Sequence, residues 1–228
     1  SAQEELERLA TMPATEKENT VESLIERNEW SNARKLIAEE LRRDPANHWL
    51  LTQLGVTHYE QQKYRKALEP LLDSFKIVPD CPLTLWNLAG TLDALGKSDV
   101  AVALYTRLLR SNVSPDDDPC WESQEWTDAL KTDCVYRLGA CFQHLGRSES
   151  AEHCFRQYIN LLLVGMTGMY SLEDAAGRIR DLEGKEKRKR GRKVQEAIDS
   201  TLQDSGILAI QTGQGSLSNL SVDELLAK

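Results

Sequence analysis

The sequence predicts an all-α fold: an α-solenoid of stacked helical hairpins with a C-terminal capping helix and an irregular tail. Three observations predict it. Alanines recur at Ala33, Ala67 and Ala101, 34 residues apart, with a fourth equivalent at Ala151. The same phase carries Leu54, Leu88 and Leu138, each followed by a small residue (Gly55, Ala89, Gly139), and the larger Ile37, Leu71, Tyr105 and Phe155. A turn keeps step too, as Asn28-Glu29-Trp30, Gln62-Lys63-Tyr64, Gly96-Lys97-Ser98 and Gly146-Arg147-Ser148. A period of this length marks repeated helical hairpins that bury their apolar faces only by stacking.

The elements follow in order. Residues 1–13 are a lead-in, and residues 14–165 hold four repeats at 14–47, 48–81, 82–115 and 132–165. Each repeat reads as two amphipathic helices around a tight turn. The small residues and the phased alanines let the two helices lie close, and Leu71, Tyr105 and Phe155 fill the space between units. Pro45 and Pro79 close their units, since proline cannot continue a helix and biases the residue before it. The first repeat is degenerate, with Thr20-Val21 at the Leu-Gly position, so its first helix is expected to be short.

An insertion at 116–131 separates the third and fourth repeats. The run Ser114-Pro115-Asp116-Asp117-Asp118-Pro119 reads as a loop. Asp116, Asp117 and Asp118 lack the alternating ligands and distant glutamate of a calcium loop. Helix is expected from Ser123 to about Leu145, with Trp121 and Trp126 pinning the loop to the body. The segment 166–193 breaks at Gly165-Met166-Thr167-Gly168. It then starts a helix at Ser171-Leu172-Glu173-Asp174, expected to run to about Leu182 and cover the last repeat. Its end is the basic run Lys185 to Lys193. Residues 194–228 form the tail, with a capping-box start at Ser221-Val222-Asp223-Glu224.

Leu51, Leu54-Gly55, Tyr59, Ala67, Leu71 and Pro79 follow a pattern that resembles the tetratricopeptide repeat family, over about two thirds of the chain. The resemblance implies a superhelix whose concave groove, lined by the first helix of each repeat, holds another protein or a peptide without catalysis. The groove positions give the candidate site Trp49, Gln53, Tyr59, Trp86, Asn87, Tyr136 and Arg137. The aromatics supply apolar anchors, while Gln53, Asn87 and Arg137 fix a backbone or carboxylate. Arg137 is expected on the solvated concave surface. One branch of the family clamps a C-terminal carboxylate with two lysines, two asparagines and an arginine. Asn87 and Arg137 match that set, but Thr52 and Asp133 stand at the lysine positions and Val56 at an asparagine position, so this clamp is not expected.

Composition narrows the alternatives. Net charge is −8 and 28% of residues are charged, which gives no global drive toward nucleic acid. The alternative function is nucleic-acid association through Lys187, Arg188, Lys189, Arg190, Arg192 and Lys193, a run without interleaved aromatics for stacking. The start of the chain shows no signal-peptide pattern and no apolar run is long enough for a membrane helix. Five cysteines at irregular spacing point to a reducing, cytoplasmic setting. Cys134, Cys141 and Cys154, with His144 and His153, lack zinc-site spacing and are read as core. No metal, cofactor or catalytic residue is expected. Residues 200–228 are expected to dock through Gly206-Ile207-Leu208-Ala209-Ile210 on their own groove or on a second copy.

Overall fold

The computed structural model describes residues 20–111, 120 and 123–204, with side chains described as far as residue 200. The chain forms two compact units, Ser1–Ile179 and Arg180–Lys228. In the first, helices come in pairs: α1 (Val21–Glu26) with α2 (Trp30–Leu41), and α3 (His48–Tyr59) with α4 (Tyr64–Ile77). The pairs α5 (Pro82–Ala94) with α6 (Ser98–Arg110) and α7 (Gln124–His144) with α8 (Ser148–Leu163) follow, then α9 (Leu172–Asp204). Each helix from α1 to α7 packs on the next, and α3 also touches α5, the first helix of the following pair. No strand occurs among the described residues.

The turns show why four unrelated tripeptides keep step. Asn28, Gln62, Gly96 and Gly146 have φ of 60°, 57°, 76° and 70°. The next N–H of each turn reaches back five residues: Glu29 to the Leu24 carbonyl (2.8 Å), Lys63 to His58 (2.9 Å), Lys97 to Leu92 (2.8 Å) and Arg147 to Phe142 (2.9 Å). This left-handed stop satisfies the orphan carbonyls at a helix end. Glycine supplies it without steric cost, asparagine nearly so, and Gln62 carries the strain. Starts are set by side chains that accept the third N–H onward: Thr20 from Ser23 (3.2 Å), Asn47 from Leu50 (3.0 Å) and Ser123 from Trp126 (3.1 Å).

The period is the core. Ala33, Ala67, Ala101 and Ala151 are fully buried, as are Ile37, Leu71, Tyr105 and Phe155. A Cβ added at Gly55 would lie 2.5 Å from Leu71 Cγ, and one at Gly139 would lie 2.8 Å from Phe155 Cε1. Those two glycines therefore let the first helix of a pair rest directly on the large residue of the second.

Two stretches differ from expectation or extend it. The helix expected to end near Leu182 continues to Asp204. Its later residues are mostly Lys, Arg, Glu, Gln and Ala, which lose little freedom in a helix. Pairs one turn apart add to this, with Gln195 donating to Asp199 at 2.8 Å and Arg192 lying 3.4 Å from Glu196. At the insertion, α7 starts at Gln124 behind the Ser123 cap, and Trp126 packs against the cluster containing Leu85, Tyr105 and Leu138. The lead-in 1–13, Asp116 to Asp118, Trp121, and the tail beyond 204 with Gly206–Ile210 and Ser221–Glu224 lie outside the described residues.

Candidate functional site

The first helices of three successive pairs carry the candidate residues: Trp49, Gln53 and Tyr59 on α3, Trp86 and Asn87 on α5, Tyr136 and Arg137 on α7. Two of them, Tyr59 and Arg137, meet at Gly90 of α5. A Cβ there would come within 3.4 Å of both the Tyr59 hydroxyl and Arg137 Nη2, and 3.5 Å of the Tyr105 hydroxyl. Trp49, Gln53, Tyr59, Trp86 and Asn87 are all half-buried. Trp86 meets Tyr105 edge to face at 5.6 Å, and Asn87 Nδ2 donates to the Leu83 carbonyl at 2.8 Å.

Arg137 is not a freestanding surface charge. Its Nε donates to the Tyr105 hydroxyl at 3.1 Å, its guanidinium lies 6.0 Å from that ring's centre, and it also donates to Tyr170. Burial works against its charge, but the surrounding phenols Tyr105, Tyr170 and Tyr59 outweigh burial and hold its pKa above the ordinary value. Burial likewise drives the Tyr105 phenol far above its usual range, so Tyr105 stays a neutral acceptor for the guanidinium. The result is a cation enclosed by aromatic hydroxyls.

The fourth pair's share of the surface is covered by the chain itself. Tyr136 is 5% exposed and stacks on Tyr170 at 3.8 Å with the rings 7° apart. Met169 N–H donates to Asp133 Oδ1 at 2.8 Å, and Tyr170 N–H donates to the Tyr158 hydroxyl at 3.0 Å. That hydroxyl faces the Tyr170 carbonyl at 2.8 Å and Asp133 Oδ1 at 3.2 Å. Burial raises the Asp133 pKa, against the pull of the Met169 N–H and the Tyr158 hydroxyl. Arg178 of α9 then donates to Gln143 Oε1 at 3.1 Å and to the Tyr136 hydroxyl at 3.4 Å. Sequence reasoning passed over this strap, because Gly168–Tyr170 lies beyond the last repeat and carries no spacing signal.

Asp93, His144 and Cys141 bring the residue types of a nucleophilic triad together, but in the wrong arrangement. Asp93 Oδ1 accepts from the Ser98 hydroxyl at 2.6 Å and sits 2.9 Å from His144 Nδ1. Burial, reinforced by the Asp93 charge, pushes the Cys141 thiol up to about 12, so it is a poor nucleophile. Cys134 and Cys154 are also buried in the apolar cluster between the third and fourth pairs. A different trio is disposed to hold a metal: one ligand atom each from His48, Cys81 and Cys120, all within 4.8 Å of one another. The basic residues Lys187, Arg188, Lys189, Arg190, Arg192 and Lys193 are exposed along α9. No helix among the described residues is long and apolar enough to cross a membrane.

No protein-family model matches this chain, and no curated protein does. Solved structures do match. MamA 41-end from Desulfovibrio magneticus RS-1 aligns at 12% identity with a TM-score of 0.51, covering 74% of this chain and 92% of that one. A further MamA protein aligns at 14% identity and 0.50, covering 78% and 93%. A tetratricopeptide repeat protein from Parabacteroides merdae ATCC 43184 aligns at 17% identity over 78% and 76%, but at 0.41 its shape is too distant to argue from. Likeness at these identities speaks for fold alone. Together with the 34-residue period and the paired helices, it shows that the chain has a tetratricopeptide-repeat-like α-solenoid fold.

Proposed function

We propose that this chain is a non-catalytic interaction module that holds a peptide or partner segment of another protein along α3 and α5. The observation that supports it is the convergence at Gly90. Tyr59, Tyr105 and Arg137, from three successive pairs, meet there, and the half-buried Trp86 and Asn87 lie on the same helix as Gly90. Aromatic anchors give affinity, and the amides of Gln53 and Asn87 set the register of an extended backbone. The covered residues Tyr136 and Asp133 serve as the end wall of this surface.

The test uses a displayed peptide library, with selected peptides then measured against Gln53→Ala/Asn87→Ala. Affinity is expected to fall at least 10-fold while the melting temperature falls only slightly, because both residues are half-buried and the Asn87 side chain bonds within its own helix. Retained affinity in the double variant would move the site elsewhere. Arg137 is unsuitable for this test, since replacing it removes its hydrogen bond to the Tyr105 hydroxyl and so changes stability along with binding.

A second reading rests on the six exposed cations of α9. Binding of that kind follows phosphate neutralisation, so its affinity for duplex DNA or RNA would fall steeply with salt. Peptide binding on α3 and α5 would change little over the same salt range.

A further inference from the structure

We propose that His48, Cys81 and Cys120 form a binding site for a thiophilic metal ion, zinc first, that staples the insertion onto the start of the second and third helix pairs. His48 is the first residue of α3. Cys81 occupies the N-cap position of α5, where its side chain makes no capping hydrogen bond. Cys120 comes from the insertion, 72 residues from His48 in sequence, yet its Sγ lies 3.3 Å from His48 Nε2.

The geometry fits before any ion arrives. Zinc bonds of about 2.3 Å to sulfur and about 2.0–2.1 Å to nitrogen place neighbouring ligand atoms roughly 3.5–3.8 Å apart in a tetrahedron. The three ligand atoms here already lie within 4.8 Å of one another, so seating an ion takes only small side-chain shifts. Cys81 is fully buried and Cys120 is 3% exposed, which keeps water from competing for the thiolates.

Two of the three ligands are positioned by a hydroxyl knot. The Ser74 and Thr52 hydroxyls both donate to the His48 carbonyl, at 2.7 and 3.0 Å. Thr84 lies 2.8 Å from Thr52 Oγ1 and 2.9 Å from Ser74 Oγ. The knot ties α3, α4 and α5 together within one turn of His48 and of Cys81. Such outer-shell fixation is what holds metal ligands in register.

The donor set chooses the ion class. One imidazole nitrogen and two sulfurs favour zinc or copper(I) over magnesium and calcium, which take oxygen. Three protein ligands leave a fourth position for water or an external group. Each thiol gives up its proton on coordination, so binding releases up to two protons per ion.

The full-length chain, reduced and stripped with chelator, is titrated with zinc against a chromophoric competitor and with cobalt(II) as the optical probe. The expected result is one ion per chain, sulfur-to-cobalt charge-transfer absorption, proton release, and protection of Cys81 and Cys120 from alkylation. Cys120→Ser and His48→Gln are each expected to weaken zinc binding at least 100-fold, beyond the roughly 10–100-fold that second-shell changes cost. Cys120 lies outside the hairpins, so Cys120→Ser tests the site without touching the repeats, and circular dichroism of both metal-free proteins verifies the fold. Absence of stoichiometric zinc in the reduced protein, a smaller loss in Cys120→Ser, or a Cys81–Cys120 disulfide persisting in reductant overturns the proposal.

Discussion

Gly55→Ala tests whether the small residue of each repeat is there for close approach. On helix propensity alone the change stabilises by about 1 kcal/mol. The structure reverses the sign. The new methyl would stand 2.5 Å from Leu71 Cγ, 2.8 Å from Cδ2 and 3.1 Å from Cδ1. Leu71 is fully buried and its branch point cannot swing aside, so overpacking of about 1–3 kcal/mol applies. The net loss is about 0–2 kcal/mol, or up to about 8 °C at roughly 2–4 °C per kcal/mol for a chain of this size. Gly90→Ala is the internal control, because its methyl would meet nothing nearer than 3.4 Å. It keeps the propensity gain and is expected to be neutral or stabilising by up to about 1 kcal/mol. Urea and thermal melts followed at the helical circular-dichroism signal measure both. Adding Leu71→Ala to Gly55→Ala should show favourable coupling of about 0.5–3 kcal/mol, since the methyl then fills part of the cavity. Equal shifts for the two glycine variants, or no coupling, would refute the close-approach account of the repeat.

Three further outcomes are expected. Gln62→Gly relieves a left-handed residue with φ of 57° and should stabilise by about 1 kcal/mol in the same melts. Tyr158→Phe strips the hydroxyl that holds the Tyr170 N–H and carbonyl, costing about 1–3 kcal/mol and raising amide exchange at Met169 and Tyr170. Two aspartates should respond to pH with opposite signs. Burial disfavours the Asp93 charge, but the Ser98 hydroxyl and His144 outweigh it and hold the pKa below the ordinary value. Its stabilisation is complete above that ordinary value and lost as pH falls through the folded one, so Asp93→Asn should flatten the acid limb of the stability curve. Burial holds the Asp133 pKa above the ordinary value, so its ionisation costs stability as pH rises through the folded value. Asp133→Asn keeps an acceptor for Met169 N–H and should stabilise at neutral pH but not in strong acid.

What was legible in the sequence was whatever repeats. The phased alanines and their large partners are fully buried, and the turn tripeptides are the left-handed stops. This follows from the architecture, because a solenoid contacts mainly its nearest neighbours and a local period reports those contacts fully. The contacts that the period does not carry were invisible. Asp133 meets Met169 across 36 residues, and Cys120 meets His48 across 72, in pairings that occur once each. The length of α9 was missed for another reason: a run of charges reads as solvated, yet its residues are also good helix formers.

The breaks in the period carry more functional information than the period itself. Both described breaks lie against the array: Cys120 of the insertion beside the start of α3, and Gly168–Tyr170 against α7. A covered first-helix surface is withdrawn from partners, so the strap bounds the proposed binding surface on the α7 side. Gln53, Tyr59, Trp86 and Asn87 on α3 and α5 stay half-buried rather than covered. Arg137 closes that surface from the α7 side, held by Tyr105 and by Tyr170 of the strap. A strap residue thus helps to position the cation that the proposed partner would meet. Loosening the strap with Tyr158→Phe should therefore weaken peptide affinity as well as stability, although Tyr158 is buried and lies outside that surface. Peptide affinity unchanged in that variant, with the strap shown by exchange to be open, would separate the strap from the binding surface and remove Arg137 from the proposed site.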